Sequence, residues 1–95
     1  AVALAPTLPE AHNNLGVVLS ALGRAKEAHR SYLEAARLRP GWSHALYNLT
    51  LNYLELGKRD EARKQLNELT AIDPTLAQAA KKVFYGKFLL DASGR

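Results

Sequence analysis

Three histidines and nine carboxylates are the residues of this 95-residue chain whose chemistry could build a catalytic or metal site. The sequence contains no cysteine, which excludes disulfides, zinc–cysteine sites and thiol chemistry but identifies no compartment. His12, His29 and His44 lack the spacing of metal ligands. There is also no glycine-rich phosphate loop, nucleophile elbow or convergent pair of carboxylates. The sequence therefore predicts a protein without a catalytic residue, a metal or a cofactor.

Two asparagines, 34 residues apart, carry the remaining candidate binding chemistry. Asn14 in "HNNLGVVL" (12–19) returns as Asn48 in "LYNLTLNY" (46–53). An amide offers a carbonyl acceptor and an NH2 donor, which match the C=O and N–H of an extended backbone. Amides at one phase of successive helices would hold a peptide main chain without reading its side chains. The alternative is that asparagine is simply tolerated on a wet surface.

This spacing belongs to an internal repeat that covers most of the chain. Residues 9–42 align with 43–76 without a gap, and Pro6 lies one period before Pro40. The identical pairs are Ala11/Ala45, Asn14/Asn48, Leu15/Leu49, Leu22/Leu56, Gly23/Gly57, Glu27/Glu61, Ala28/Ala62, Glu34/Glu68 and Pro40/Pro74.

Glycine and proline divide each copy into two helices. Gly23 and Gly57 each stand between two amphipathic stretches, where a helix-ending residue with positive φ is expected. Pro40 and Pro74 end the second stretch of each copy, because proline cannot continue a helix. The pattern predicts helices at about 9–22, 25–38, 43–56 and 59–72, and a last helix from about 76 to 90.

Residue size and polarity predict how these helices begin and pack. Pro9 suits a first helical turn, and Ser43 and Thr75 are the expected N-caps. Ala28 and Ala62 are small enough for close helix crossings. The expected core residues are Leu15, Leu19, Tyr32, Leu49, Tyr53 and Leu66, with Ala80, Val83 and Phe84 in the last helix. Since one helix pair cannot bury its apolar face alone, the pairs must stack into a solenoid.

The sequence resembles the tetratricopeptide repeat family, whose pattern runs W-x2-L-G-x2-Y, then A, an aromatic residue, A and P. The first copy matches it at Leu15, Gly16, Leu19, Ala28, Tyr32, Ala35 and Pro40, and the second at Leu46, Leu49, Tyr53, Ala62, Leu66 and Pro74. The resemblance implies an all-α fold: a right-handed α-solenoid of antiparallel helix pairs, with two full repeats plus a C-terminal helix. Within one domain (1–95), it implies the tail of a preceding repeat at 1–8, repeats at 9–42 and 43–76, and a capping helix and tail at 77–95.

In this family, the side of each first helix opposite to the one that faces the neighbouring helices lines a concave groove, which holds extended peptides or partner helices. The resemblance therefore implies a groove built from Asn13, Asn14, Val17, His44, Tyr47, Asn48, Leu51, Gln78, Lys81, Lys82 and Tyr85. Asn14 and Asn48 are similar to the asparagine ladder of O-linked N-acetylglucosamine transferases, although Lys82 takes the third place. Of the five places of the carboxylate clamp that chaperone-binding members use, only Asn48 matches, so a chaperone clamp is not expected.

The predicted function is that of a non-catalytic scaffold that binds an extended peptide or a partner segment. One alternative is self-association into a homo-oligomer through open solenoid ends, namely an uncovered face of the first helix and the apolar residues 88–90. Another is the substrate-recruiting arm of a larger enzyme, such as an O-linked glycosyltransferase. The chain lacks methionine even at its first position, which suggests a fragment of a longer protein.

The charge and hydropathy of the chain predict neither a nucleic-acid partner nor a membrane span. The net charge is +4, and the excess of basic residues is expected to be solvated helix surface. Lys81, Lys82, Tyr85 and Lys87 come nearest to the interleaved basic and aromatic residues that single-stranded nucleic-acid binding requires, but one short stretch of one helix does not predict such binding. No apolar run approaches the roughly 20 residues that span a bilayer.

Overall fold

The computed structural model describes the backbone of residues 8–92 and the side chains of residues 8–86. Five α-helices occupy this range: α1 (Pro9–Ala21), α2 (Ala25–Leu38), α3 (Ser43–Glu55), α4 (Arg59–Ile72) and α5 (Pro74–Ala92). The first four agree with the predicted helices to within one residue. The tail predicted at 1–8 lies, except for Leu8, outside the described residues, as do 93–95 and the side chains of 88–90.

Each helix packs against the next one along the chain, and the first helices of successive units (α1, α3 and α5) also lie next to each other. α1 contacts α2 and α3 contacts α4 within the repeats, while α2–α3 and α4–α5 contacts join one unit to the next. α3 also contacts both α1 and α5. This arrangement confirms the predicted all-α solenoid of helix pairs.

One glycine in left-handed conformation makes the turn inside each repeat, Gly23 in the first and Gly57 in the second. The φ angles are +79° at Gly23 and +75° at Gly57, a region that costs a side-chain-bearing residue energy but not glycine. The turns close through the N–H of Arg24, which donates to Leu19 O, and the N–H of Lys58, which donates to Tyr53 O, both at 2.8 Å. The predicted role of both glycines is confirmed.

The predicted N-caps are wrong. Ser43 is the first residue inside α3, and the N-cap position belongs to Trp42, whose extended backbone forms no side-chain cap. Thr75 lies inside α5, where Oδ1 of Asp73 accepts the N–H of Leu76 at 3.0 Å. Asp73 is also the residue that follows α4, so one residue ends one helix and caps the next.

Small residues permit close helix contacts inside each repeat. Ala28 and Ala62 are fully buried, as predicted. A Cβ atom built on Gly16 would lie 2.4 Å from Cε1 of Tyr32, so this glycine makes room for the buried ring. Thr50 takes the equivalent place in the second repeat, where its hydroxyl donates to Leu46 O at 2.8 Å. The second repeat thus satisfies a buried hydroxyl within its own helix.

Two residues that were expected in the core are exposed. Leu15 is 38% exposed, whereas Leu49, its equivalent one period later, is 2% exposed because α3 packs against α2. Val83 is 42% exposed. Four residues connect α2 to α3, but Asp73 alone connects α4 to α5. α5 buries Ala80 and Phe84 but not Val83.

Candidate peptide-binding groove

An open cavity of about 450 Å³ lies at the carboxyl-terminal halves of α1 and α3. This volume is within the range of about 300–1,000 Å³ that is usual for ligand sites. Its walls come from four helices. The residues that line it are Val17, Ser20 and Ala21 of α1, Tyr32 of α2, Asn48, Leu51, Asn52, Leu54 and Glu55 of α3, and Val83 of α5.

The wall of the cavity is mostly aliphatic. Val17 is 47% exposed although it lies in the middle of a helix. Leu51, its equivalent in the second repeat, is half-buried in the same cavity, and the exposed side chain of Val83 completes the wall. Apolar side chains that converge on a concave surface favour a ligand with an apolar group, because its burial removes both surfaces from water.

One end of the cavity carries a hydroxyl, a phenol and a carboxylate. Ser20 Oγ donates to Glu55, 3.0 Å from Oε1 and 3.2 Å from Oε2. Burial raises the pKa of Tyr32, the Glu55 carboxylate raises it further, and a hydrogen bond with Ser20 lowers it. The phenol therefore stays protonated, and Glu55 is the charged group of the cavity lining.

The amides near the cavity form a pair that differs from the predicted ladder. Asn48 Nδ2 donates to Asn13 Oδ1 at 2.9 Å, and Asn13 is buried. This bond links the first helices of the two repeats. Asn48 lines the cavity, whereas Asn14 is exposed and does not. Contact of Asn14 and Asn48 with a peptide main chain stays a prediction.

The two units that build this groove match one known family. Residues 9–42 match the tetratricopeptide repeat, and residues 43–76 match it a second time. The chain belongs to the tetratricopeptide repeat family. A TPR repeat-containing thioredoxin of Arabidopsis thaliana, TTL4, is 38% identical over 66 residues, which are 70% of this chain and 10% of that protein. The chain thus spans about a tenth of the length of this relative.

Tetratricopeptide repeats generally mediate protein–protein interaction and are typically non-catalytic. In residues 8–86, no group of three or more His, Asp or Glu side chains is arranged to hold a metal ion. None of the described helices is long and apolar enough to cross a membrane.

Of the residues predicted for the tetratricopeptide groove, Val17, Asn48 and Leu51 line the cavity. His44 is exposed, with its ring centroid 5.9 Å from that of Trp42. Tyr47 is half-buried against the core of the second repeat.

The predicted groove residues of α5 lie elsewhere. Gln78 and Lys82 are exposed and Lys81 is half-buried, but none of the three lines the cavity. Tyr85 stacks edge-on against Phe84 at 5.1 Å and borders a smaller cleft next to α4. The exposed aliphatic side chain that α5 supplies to the groove is that of Val83.

The predicted groove residues did not include Tyr32, Asn52 and Val83 of the cavity lining, nor Ser20, Ala21, Leu54 and Glu55. A signal for the last four existed, because Val17, Ser20 and Ala21 are one period before Leu51, Leu54 and Glu55. These positions form one stripe along each first helix, with spacings of three and four residues. The stripe reaches closer to the carboxyl ends of the helices than the predicted groove did.

Proposed function

We propose that this chain binds an extended peptide, or an extended segment of a partner protein, in the concave groove that contains the cavity. The observation that carries the proposal is the concave aliphatic wall itself. Val17 of α1 and Val83 of α5 are nearly half exposed in it, and Leu51 belongs to α3, which contacts both of these helices. A ligand side chain that enters the cavity gains about 25 cal/mol for each Å² of apolar surface removed from water.

Asn48 supports an extended ligand. Its NH2 group donates to Asn13, and within the described residues its carbonyl oxygen has no hydrogen bond. This oxygen is therefore available to accept a main-chain N–H from a ligand. A contact of this kind contributes about 0.5–1.5 kcal/mol net, since it replaces a hydrogen bond to water.

A random peptide library displayed on phage tests the proposal. Peptides selected on the parent protein should bind in solution, and Leu51→Arg should abolish their binding because it places a charge on the apolar wall. Val17→Arg is a second test at a more exposed position. The matched control is Leu33→Arg, because Leu33 is an exposed leucine of α2 that does not line the cavity. Equal binding by all variants with intact helical circular dichroism would refute groove binding.

The amides provide a separate test of main-chain recognition. Asn14→Ala combined with Asn48→Ala should weaken selected peptides of differing sequence by about 10-fold, as expected for two modest hydrogen bonds. Asn14→Ala alone separates the exposed amide from the amide that also holds Asn13. If the double variant binds every peptide as tightly as the parent, the repeated amides are only surface polarity.

Self-association is a second candidate function, and a face of α1 favours it. Leu15, Val18 and Leu22 are 38%, 55% and 64% exposed. In α3 the equivalents of the first two, Leu49 and Asn52, are 2% and 1% exposed. α1 thus carries an exposed apolar stripe, whereas α2 covers the corresponding stripe of α3.

Sedimentation velocity across a range of protein concentrations tests this candidate. Association through α1 predicts a mass that rises with concentration in the parent and stays monomeric in the double variant Val18→Glu, Leu22→Glu. The exposed Leu33 supplies the control Leu33→Glu. A parent protein that is monomeric at every concentration contradicts self-association and leaves groove binding unaffected.

A further inference from the structure

We infer that the cavity selects a ligand segment in which an aliphatic side chain and a lysine or arginine are separated by one residue. This inference rests on the peptide-binding function proposed above, and it adds a charge preference and a spacing. Both follow from the position of Glu55 relative to the aliphatic wall.

The cavity lies where negative potential accumulates. Ala21 is the last residue of α1 and Glu55 is the last residue of α3, and both line the cavity. A helix carries about half a negative charge at its carboxyl end, and the effect is felt within its last turn. Neither α1 nor α3 has a basic residue in its last turn. The two helix ends and the carboxylate therefore contribute charge of the same sign.

Glu55 retains capacity for a cationic ligand. Its hydrogen-bond partner among the described residues is the Ser20 hydroxyl, which has a single proton and lies 3.0 and 3.2 Å from the two carboxylate oxygens. A carboxylate offers about four acceptor sites, so most of them stay available. Within the described residues Glu55 forms no ion pair. Arg24 and Lys58, which follow the turns, do not line the cavity, and Arg24 pairs instead with Glu27 at 2.8 Å.

A carboxylate in the last turn does not stabilise helix α3 through the helix dipole. A negative charge at the carboxyl end of a helix is modestly unfavourable, because it faces the negative end of the helix dipole. The Ser20–Glu55 hydrogen bond is exposed, so water competes for both groups. A bound cation would turn the same carboxylate into a favourable contact.

The spacing follows from the helix geometry. Leu51 and Glu55 are four residues apart on α3, so their side chains lie on the same face, about 5–6 Å apart. In an extended chain, alternate residues project to the same side about 6.6–6.8 Å apart. A ligand can therefore place an aliphatic side chain against Leu51 and a cationic one against Glu55 with one residue between them. Arginine can bind the carboxylate with two parallel hydrogen bonds.

The test is selection from the same phage library on three proteins: the parent, Glu55→Lys and the control Glu68→Lys. Glu68 is an exposed glutamate of α4 that does not line the cavity, so its replacement changes the net charge equally. The parent and the control should enrich an aliphatic residue with a lysine or arginine two positions before or after it. Glu55→Lys should enrich an acidic residue at that position instead.

A quantitative arm uses one selected basic peptide in fluorescence anisotropy. Glu55→Gln should weaken it by about 3- to 5-fold at low salt, as expected for a largely exposed ion pair. The difference between parent and variant should shrink at high salt, because salt screens the pair. Glu68→Gln should leave the affinity unchanged, and melting curves of all variants report whether the fold is intact.

The outcomes separate this inference from the proposed function. Peptides whose binding requires Leu51 but shows no basic preference, or an acidic one, overturn the inference and leave groove binding standing. Peptides that bind Leu51→Arg as tightly as the parent overturn groove binding itself, and the inference with it.

Discussion

Between α2 and α3, a buried amide holds one unit to the next. Asn52 is 1% exposed, and its Nδ2 donates to Ala25 O at 3.0 Å. Its Oδ1 lies 2.8 Å from His29 Nδ1, which must be the donor because a carbonyl oxygen can only accept. The His29 ring also meets the Tyr53 ring edge-on at 5.0 Å. Both the nitrogen and the oxygen of the Asn52 side-chain amide thus pair with α2.

Between α4 and α5, the contact is made by an aromatic ring, Phe84, that lies under two arginines. Phe84 is 2% exposed, with the Arg59 and Arg63 Cζ atoms 4.9 and 5.9 Å from its ring centroid. Arg59 also donates to Phe84 O at 3.4 Å. The side-chain contacts of this junction in the described residues thus include apolar burial, cation–π attraction and the Arg59 hydrogen bond.

The same positions on the second helix of each repeat make both junctions. Ala25 and His29 of α2 are one period before Arg59 and Arg63 of α4. The helix order is thus preserved while the contact chemistry changes. An amide with two partners specifies one relative position of the helices, whereas a ring under a flexible guanidinium tolerates small shifts. The amide junction should therefore be the more rigid of the two.

The largest effect is expected at the aromatic junction. Phe84→Ala should lower the free energy of unfolding by about 3–5 kcal/mol, because it removes a buried ring and leaves a cavity. Urea denaturation followed by circular dichroism measures this loss. Tyr85→Ala is the matched control, since Tyr85 is 53% exposed next to Phe84. Similar losses for both substitutions would mean that Phe84 is not the anchor of α5.

The amide junction should show a smaller but more specific effect. Asn52→Ala should lower the free energy of unfolding by about 1–3 kcal/mol, because Ala25 O and His29 Nδ1 lose their buried partner. The same denaturation experiment measures it, with the exposed Asn67→Ala as the control. Hydrogen exchange should show faster opening of the α2–α3 contact. An Asn52→Ala protein as stable as the parent would mean that the amide adds no net stability.

The repeat made most of the fold predictable from the sequence. Gly23 and Gly57 mark turns by a local conformational rule, so the helices around them agree with the prediction to within one residue. The start of α5 was less predictable because Asp73 both follows one helix and caps the next. A rule based on one helix at a time cannot anticipate a residue that serves two.

Part of the cavity lining was predictable from the phase of the helices, and part was not. The phase of the helices placed Val17, Asn48 and Leu51 on one face, and all three line the cavity. Its floor includes Tyr32, a residue of the second helix that reaches between α1 and α3. The pattern along α3 places Glu55 on the same face as Leu51, but only the tertiary arrangement brings it to Ser20 of α1. On α5, Val83 lines the cavity, whereas Tyr85, the predicted groove residue, does not.

The smallest predicted effect sharpens the contrast between the junctions, and it concerns Arg63. Its guanidinium lies above Phe84, and it also pairs weakly with Asp60 at 3.6 Å, where both side chains are largely exposed. Arg63→Gln should lower the free energy of unfolding by about 0.5–1 kcal/mol, the usual contribution of an exposed cation–π contact. Asp60→Asn measures the ion pair alone and should cost less. A double-mutant cycle of Arg63→Gln with Phe84→Leu then isolates the coupling between arginine and ring. If that coupling is close to zero, the arginine does not stabilise the ring, and apolar burial and Arg59 account for the side-chain contacts of the α4–α5 junction.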